Sequence, residues 1–451
     1  METKLEKKYG LFTAIAMVVG IVIGSGVFFK AEKVLTATGG NLSLGILAWI
    51  IGGIIMIACA YTFAVMATKY EHVNGIVDYA EAAMGEKYGY YVGWFMALIY
   101  YPTLTSVLAW VSARYTSVLF GFSITGGECM TIACLFLIGS YALNALSPVL
   151  AGKFQVSTTV IKLIPLALMA VVGTIAGLLN GMTVSNFTTV VTQVNTSNAL
   201  FTAVVATAFA YEGWIIATSI NAELKDAKKT LPLALVAGTF VVILVYILYY
   251  VGLAGAVPNE VMMKGGEAGA KLAFQTIFST LGGSLIFVFV IISCLGTLNG
   301  LMLGCTRGLY SVAARGFGPK PEVFNQVDKE TNMPTNSSIF GLLLCGIWLF
   351  FFYGAILADP IWFGFFGFDS SELPIVTIYA MYIPIFFMIM KKETSLSFFN
   401  RFAAPIVALA GCVFMIIAAC FSHKMAVVSY LIIFIVVMII GTMFAQKKAD
   451  K

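Results

Sequence analysis

The 451-residue sequence predicts an all-α membrane protein with twelve transmembrane helices, and three observations carry that prediction. Hydrophobic residues make up 60% of the chain and charged residues 10%, with a mean hydropathy of +0.96, against about 25% charged in an ordinary soluble domain. Apolar stretches of about 20 residues, enough to cross a hydrocarbon core, recur near 11–34, 42–67, 88–121, 128–148, 153–179, 197–220, 231–257, 282–313, 337–356, 361–390, 402–421 and 424–445. Basic residues then gather in alternate loops. One side holds Lys4, Lys7, Lys8, Lys69, Lys87, Lys153, Lys225, Lys228, Lys229, Arg315, Lys320, Lys329, Lys391, Lys392, Arg401 and the final lysines Lys447, Lys448 and Lys451, while the other holds only Lys30, Lys33, Arg114, Lys264, Lys271 and Lys424. That bias places both termini in the cytoplasm of a multi-pass protein of the cell membrane. It also accounts for the net charge of +5, so nucleic acid is not an expected partner. The loops leave no room for a soluble domain: residues 1–445 read as one membrane domain and 446–451 as a cytoplasmic tail.

The first segment resembles a signal peptide in its basic start, but it is too long for an apolar core of that kind and reads as a retained helix. Its second half carries Ile23-Gly24-Ser25-Gly26-Val27 at membrane depth. Glycine takes up non-helical conformations cheaply, so this is a helix break. The backbone groups a break exposes need protein, water or ligand to satisfy them, which makes it half of a binding site. The second segment, with Gly45, Gly52, Gly53, Ala58 and Ala60, has the small residues of a close-packed helix. The charged stretch from Thr68 to Lys87 predicts a short amphipathic helix at the surface, and the overlong third span predicts a tilted one.

Lys162 stands in the fifth segment, about ten residues and hence about 15 Å beyond Lys153. A lysine at mid-membrane costs roughly 2.5–3.5 kcal/mol and belongs in the bundle interior. Snorkelling is the competing explanation, and that depth exceeds easy reach. The sixth segment contains Phe209-Ala210-Tyr211-Glu212-Gly213-Trp214, a carboxylate beside a glycine between large aromatics. Glu212 either serves the site or pairs with a neighbouring helix. Pro258 to Gly283 reads as a long outer loop over the cavity, the eighth segment carries a polar stripe of Ser293, Thr297, Asn299, Thr306 and Arg307, and Asp369 to Glu372 fall near an outer mouth or vestibule within the tenth.

The two breaks lie five spans apart. An odd number of spans per repeat inverts the second copy, so helices one to five (about 11–179) and six to ten (about 197–390) form a 5+5 inverted repeat with discontinuous helices 1 and 6, and helices 11 and 12 (about 402–445) lie outside it. Transporters built this way bind substrate at the midplane between the two broken helices. The cysteines are scattered without metal-ligand spacing, no catalytic motif is present, and neither a metal nor a cofactor is expected. The chain is therefore not read as an enzyme. A channel or a membrane sensor is the different-class alternative, disfavoured because no continuous polar pathway or signalling domain can be traced.

Gly24-Ser25-Gly26-Val27-Phe28, Phe209-Ala210-Tyr211-Glu212-Gly213-Trp214 with Glu223 and Leu231-Pro232, and Leu298-Asn299-Gly300 with Arg307, Ala314-Arg315-Gly316 and Pro319 together resemble the L-type amino acid transporter family of the amino acid, polyamine and organocation superfamily. The likeness runs over roughly the whole chain, and it points among bacterial members to an alanine, serine and cysteine exchanger. It implies the leucine-transporter-like fold and a sodium-independent exchange of small neutral L-amino acids. By the same resemblance the amides at Ser25, Gly26 and Val27 bind the substrate carboxylate at a positive helix end, and the carbonyls of Val22, Ile23, Phe209, Ala210 and Glu212 accept from its ammonium. Gly24 and Gly26 let those amides approach the ligand, with Tyr211 and Gly213 completing the second break. Lys162 replaces a sodium ion, either tethering helix one or coupling transport to protons, and Phe209 and Trp214 form an aromatic lid. Glu212 stands where animal members have glycine; narrowing the pocket, attracting a cationic substrate and a structural hydrogen bond remain open. Cys129 lies near where animal members bridge to a heavy-chain subunit, a partner a bacterial chain would lack.

Overall fold

The computed structural model describes residues 10–67, 69–70, 75–217, 224–331 and 333–446. Lys4, Lys7, Lys8, Glu71, His72, Glu223, Lys447, Lys448 and Lys451 lie outside them. Every regular element among the described residues is helical. In chain order these are α1 (Leu11–Val22), α2 (Gly26–Ala37), α3 (Leu42–Ala67), α4 (Ile76–Met84), α5 (Glu86–Phe120), α6 (Gly127–Leu146), α7 (Val149–Leu179), α8 (Met182–Thr188), α9 (Thr196–Tyr211), α10 (Trp214–Ala217), α11 (Ala227–Ala256), α12 (Asn259–Gly265), α13 (Glu267–Ala313), α14 (Pro321–Phe324), α15 (Thr335–Leu357), α16 (Leu373–Lys392), α17 (Phe399–His423) and α18 (Met425–Thr442). Ten of the helices are long and apolar enough to cross a membrane. The first and sixth expected spans appear as the interrupted pairs α1/α2 and α9/α10.

Two expectations need correction. Pro258 to Gly283 is not a loop: it folds into α12 and the start of α13, whose kink at Phe278 and Ser279 marks where the expected eighth span begins. The tenth span does not start near 361. Gly364, at φ +48°, and Gly367 break the apolar run that follows Pro360, and regular helix begins only at Leu373. Asp369 to Glu372 therefore precede α16, with Ser370, Ser371 and Glu372 buried. The surface helix expected between Thr68 and Lys87 is α4.

The chain packs into two compact units. The first comprises residues up to 89, 166–263 and 376–422, which gathers α1 to α4, the later part of α7, α8 to α11, and most of α12, α16 and α17. Its interior is built by the small residues of α3: a Cβ on Gly52 would overlap Thr207 of α9, and one on Gly45 would overlap Tyr250 of α11. At one end, Asn259 Nδ2 donates to the carbonyls of Gly40 (2.9 Å) and Asn186 (3.0 Å), while Asn186 Nδ2 donates to Val257 (2.9 Å). The Gly39 carbonyl accepts from the amides of Val191 and Thr192. At the loops following α3 and α16, Lys69 and Tyr70 both bond the Glu393 carboxylate.

The second unit holds residues 90–165, 264–375 and 423 onward. Along α13 the glycines at 296, 300, 304 and 308 meet Thr158 and Gln155 of α7 and Tyr101 and Ala97 of α5. In the eighth-span polar stripe, Thr297 and Thr306 bond carbonyls of their own helix, and Asn299 supplies the bonds between helices. Asn299 accepts from Asn144 (2.9 Å) and donates to Gln155 (3.1 Å), whereas Arg307 is exposed. Trp94 and Tyr90 anchor α18 through the carbonyls of Val437 (2.9 Å) and Gly441 (2.7 Å). Cys129 is buried in the first turn of α6 as a free thiol.

Candidate functional site

Both expected breaks are present, and within the first unit they meet. α1 stops at Val22, where Ile23 turns extended (φ −66°, ψ 111°), and α2 restarts at Gly26. α9 stops at Tyr211, where Glu212 turns extended (φ −65°, ψ 152°), and Gly213 at φ +109° allows the chain to re-enter helix at Trp214. Only glycine takes that left-handed value without strain. A Cβ on Gly26 would overlap the Ala210 Cα and stand 3.0 Å from the Phe209 carbonyl oxygen, so the start of α2 lies directly on the end of α9. Glycine at 26 is thus demanded by helix-on-helix contact, a reason additional to the ligand access expected of it. The positive end of α2 sits beside the negative end of α9, and α1 contributes a second negative end at Val22.

A tyrosine that sequence reasoning passed over ties these ends together. Tyr246 of α11 is fully buried and its hydroxyl lies 2.9 Å from the Ala210 carbonyl and 3.3 Å from that of Val22. One phenolic proton serves both acceptors, and each carbonyl keeps a second lone pair for a ligand. The Tyr211 side chain faces the packed interior: it stacks on Tyr246 at 5.3 Å and donates to the Trp49 carbonyl at 2.8 Å. Its backbone, not its ring, belongs to the break. An aromatic deep in an apolar span looks like filler in a sequence; only its hydrogen bonds to helix ends reveal the role.

The remaining predicted residues fall in separate surroundings. Val22, Ile23, Ser25 and Val27 are all buried around the first break. Glu212 lies within electrostatic range of Tyr379 and Tyr382 on α16 and Cys59 on α3. Trp214 is fully buried between Phe63 (5.7 Å) and Tyr382 (5.6 Å). Phe209 packs edge-on against Phe29 at 5.6 Å. Lys162, in the second unit, is buried at a turn between helical stretches of α7, where Pro165 denies the Ile161 carbonyl its helical donor. The cleft of about 890 Å³ in that unit, between α6 and α15, is lined by Met130, Leu137, Leu343 and Phe350. It offers apolar side chains and no converging polar groups, as a lipid-facing surface would.

Comparison with known proteins agrees with this arrangement. The amino acid permease family matches residues 9–444. The serine/threonine exchanger SteT of Bacillus subtilis (strain 168) is 30% identical over 422 residues, covering 91% of each chain. The human cystine/glutamate transporter is 24% identical over 339 residues, 74% of this chain and 66% of that protein. The mouse Asc-type amino acid transporter 1 is 26% identical over 367 residues, 76% of this chain and 63% of that protein, so this chain spans about two thirds or less of those two longer relatives. A match over nearly the whole chain, falling on a helical membrane protein whose two broken helices meet, makes this a transporter rather than an enzyme: the chain belongs to the amino acid permease family.

Proposed function

We propose that the protein is a sodium-independent exchanger of small neutral L-amino acids (alanine, serine, cysteine and glycine) working by alternating access. The observation that carries the reading is the meeting of the two helix breaks, with Gly26 seated on Ala210 and Tyr246 bridging Val22 and Ala210. An amino acid is a zwitterion, and this arrangement sets a positive helix end beside two negative ones. The carboxylate binds the amides of Ser25, Gly26 and Val27; the ammonium binds carbonyls of Val22, Ile23, Phe209, Ala210 and Glu212. Backbone groups then read what all amino acids share, and the side chain is sorted by the space around them. The relative named a serine/threonine exchanger supports both exchange and a small substrate. Twelve crossings in a leucine-transporter-like 5+5 inverted repeat, both termini in the cytoplasm, residence in the cell membrane and operation without a heavy chain complete the proposal.

Lys162 supplies the fixed positive charge that makes sodium unnecessary, and Phe209 and Trp214 gate the site. The position of Glu212 among Tyr379, Tyr382 and Cys59 supports a structural role for its carboxylate over attraction of cationic substrates. Purified protein in liposomes tests the whole reading. Labelled alanine uptake should require unlabelled amino acid inside, ignore a sodium gradient, and be competed by serine and cysteine but not by lysine or arginine. Uptake into empty vesicles driven by an inward proton gradient, and lost in Lys162→Ala, would establish the proton-coupled alternative instead.

A further inference from the structure

Among the described residues of the first unit, Lys30 is the fully buried lysine to which the proposed binding mode gives no task. It stands in α2 four residues beyond Gly26, on the same face one turn along. Its side chain is completely buried. The ammonium lies 4.9 Å from the Phe29 ring centroid and 5.1 Å from that of Phe209, and those two rings touch edge to face at 5.6 Å. Lys33 approaches Phe29 at 4.7 Å. One ring belongs to the element that follows the first break and the other to the element that precedes the second.

A cation over an aromatic face is held by the ring quadrupole, and the attraction grows when water is excluded. Here the cation is fully desolvated and one of its two rings is the residue whose carbonyl borders Gly26. We propose that Lys30 is a positioning residue: its ammonium clamps the Phe209 ring and so holds α9 on α2 with the aromatic gate in its binding orientation. The inference rests on the proposed amino acid site with Phe209 as a gate. Phe209 loses its fixed orientation without the clamp, and substrate entering from the α2 side finds the gate unset. The expected deficit is in capture rather than in turnover.

The test is a double-mutant cycle on alanine uptake by proteoliposomes, scored as KM and kcat separately. Lys30→Met and Phe209→Leu should each raise the external KM about tenfold with kcat little changed, the double variant should be no worse than either single one, and Lys30→Arg should restore most of the loss. Effects that multiply in the double variant, an unchanged KM in Lys30→Met, or a shift in preference away from acidic amino acids would overturn the clamp. Should Lys30→Met not reach the membrane, fluorinated phenylalanines at 209 keep the ring's shape while weakening its negative face; KM should climb with each added fluorine, and a flat series refutes the proposal. Failure of the wild type to move any amino acid would count against the proposed function, whereas transport with an independent Lys30 and Phe209 would count against the clamp alone.

Discussion

At the scale of single residues, the site depends on contacts too tight to admit substitution. A β-carbon at Gly26 would strike the α9 backbone, so Gly26→Val disturbs the pairing of α2 with α9 as well as any ligand. Tyr246 gives the cleaner probe. Tyr246→Phe keeps the ring between Trp49 and Tyr211 and removes only the hydroxyl that bridges Ala210 and Val22. A single net hydrogen bond is worth roughly 0.5–1.5 kcal/mol, so substrate affinity should fall about two- to tenfold while thermal stability in detergent changes little; equilibrium binding of alanine measures it. Both breaks were legible in the sequence because glycine beside a serine or a glutamate at membrane depth frees backbone groups that lipid cannot satisfy. Tyr246 and Lys30 were not. The first sits in an unbroken apolar run, and the second occupies the end of a span where lysine ordinarily marks the interface, so only three-dimensional neighbours separate their roles from anchoring or filling.

Among elements, the join between the end of α3 and the loop after α16 has a pH signature. Burial alone would raise the Glu393 carboxyl, but hydrogen bonds from Lys69 and Tyr70 outweigh it and hold its pKa below the ordinary 4.5. Burial and the Glu393 contact push the Tyr70 hydroxyl up to about 12, so it stays a donor at neutral pH. A carboxylate with a depressed folded pKa contributes stability that is complete above the unfolded value and is lost as pH falls toward the folded one. Melting temperature should therefore decline as pH drops below about 4.5, and Glu393→Gln should lower it at neutral pH and flatten that decline. A decline of equal size in the variant would assign the effect to other carboxylates. Element boundaries were read well where an apolar run is uniform, as in α3, and poorly where local chemistry interrupts it. Glu260, Lys264, Glu267 and Lys271 gave Pro258 to Gly283 the look of a loop, yet α12 and α13 form there, with Glu267 paired to Arg114 at 2.6 Å. The run after Pro360 is apolar from Ile361 to Phe368, but its glycines turn it aside before Leu373.

For the whole molecule, the proposed orientation predicts which loops meet which side. Single cysteines at Lys424, between α17 and α18, and at Lys391, at the end of α16, should react with an impermeant thiol reagent from outside and only after permeabilisation, respectively; the opposite pattern would invert the topology. The end of α2 remote from the site adds a mechanical consequence. Gly39 and Gly40 are fastened to Val191, Thr192 and Asn259, whereas Gly26 stands at the other end of a 12-residue helix. Such a helix is about 18 Å long, and a tilt of about 10° around its fastened end would carry the Gly26 amide about 3 Å, roughly the length of one hydrogen bond. Under the proposed binding mode the asparagine knot would act as a fulcrum and α2 as its lever arm: a rotation small enough to leave the knot intact would be large enough to make or release the grip on a carboxylate.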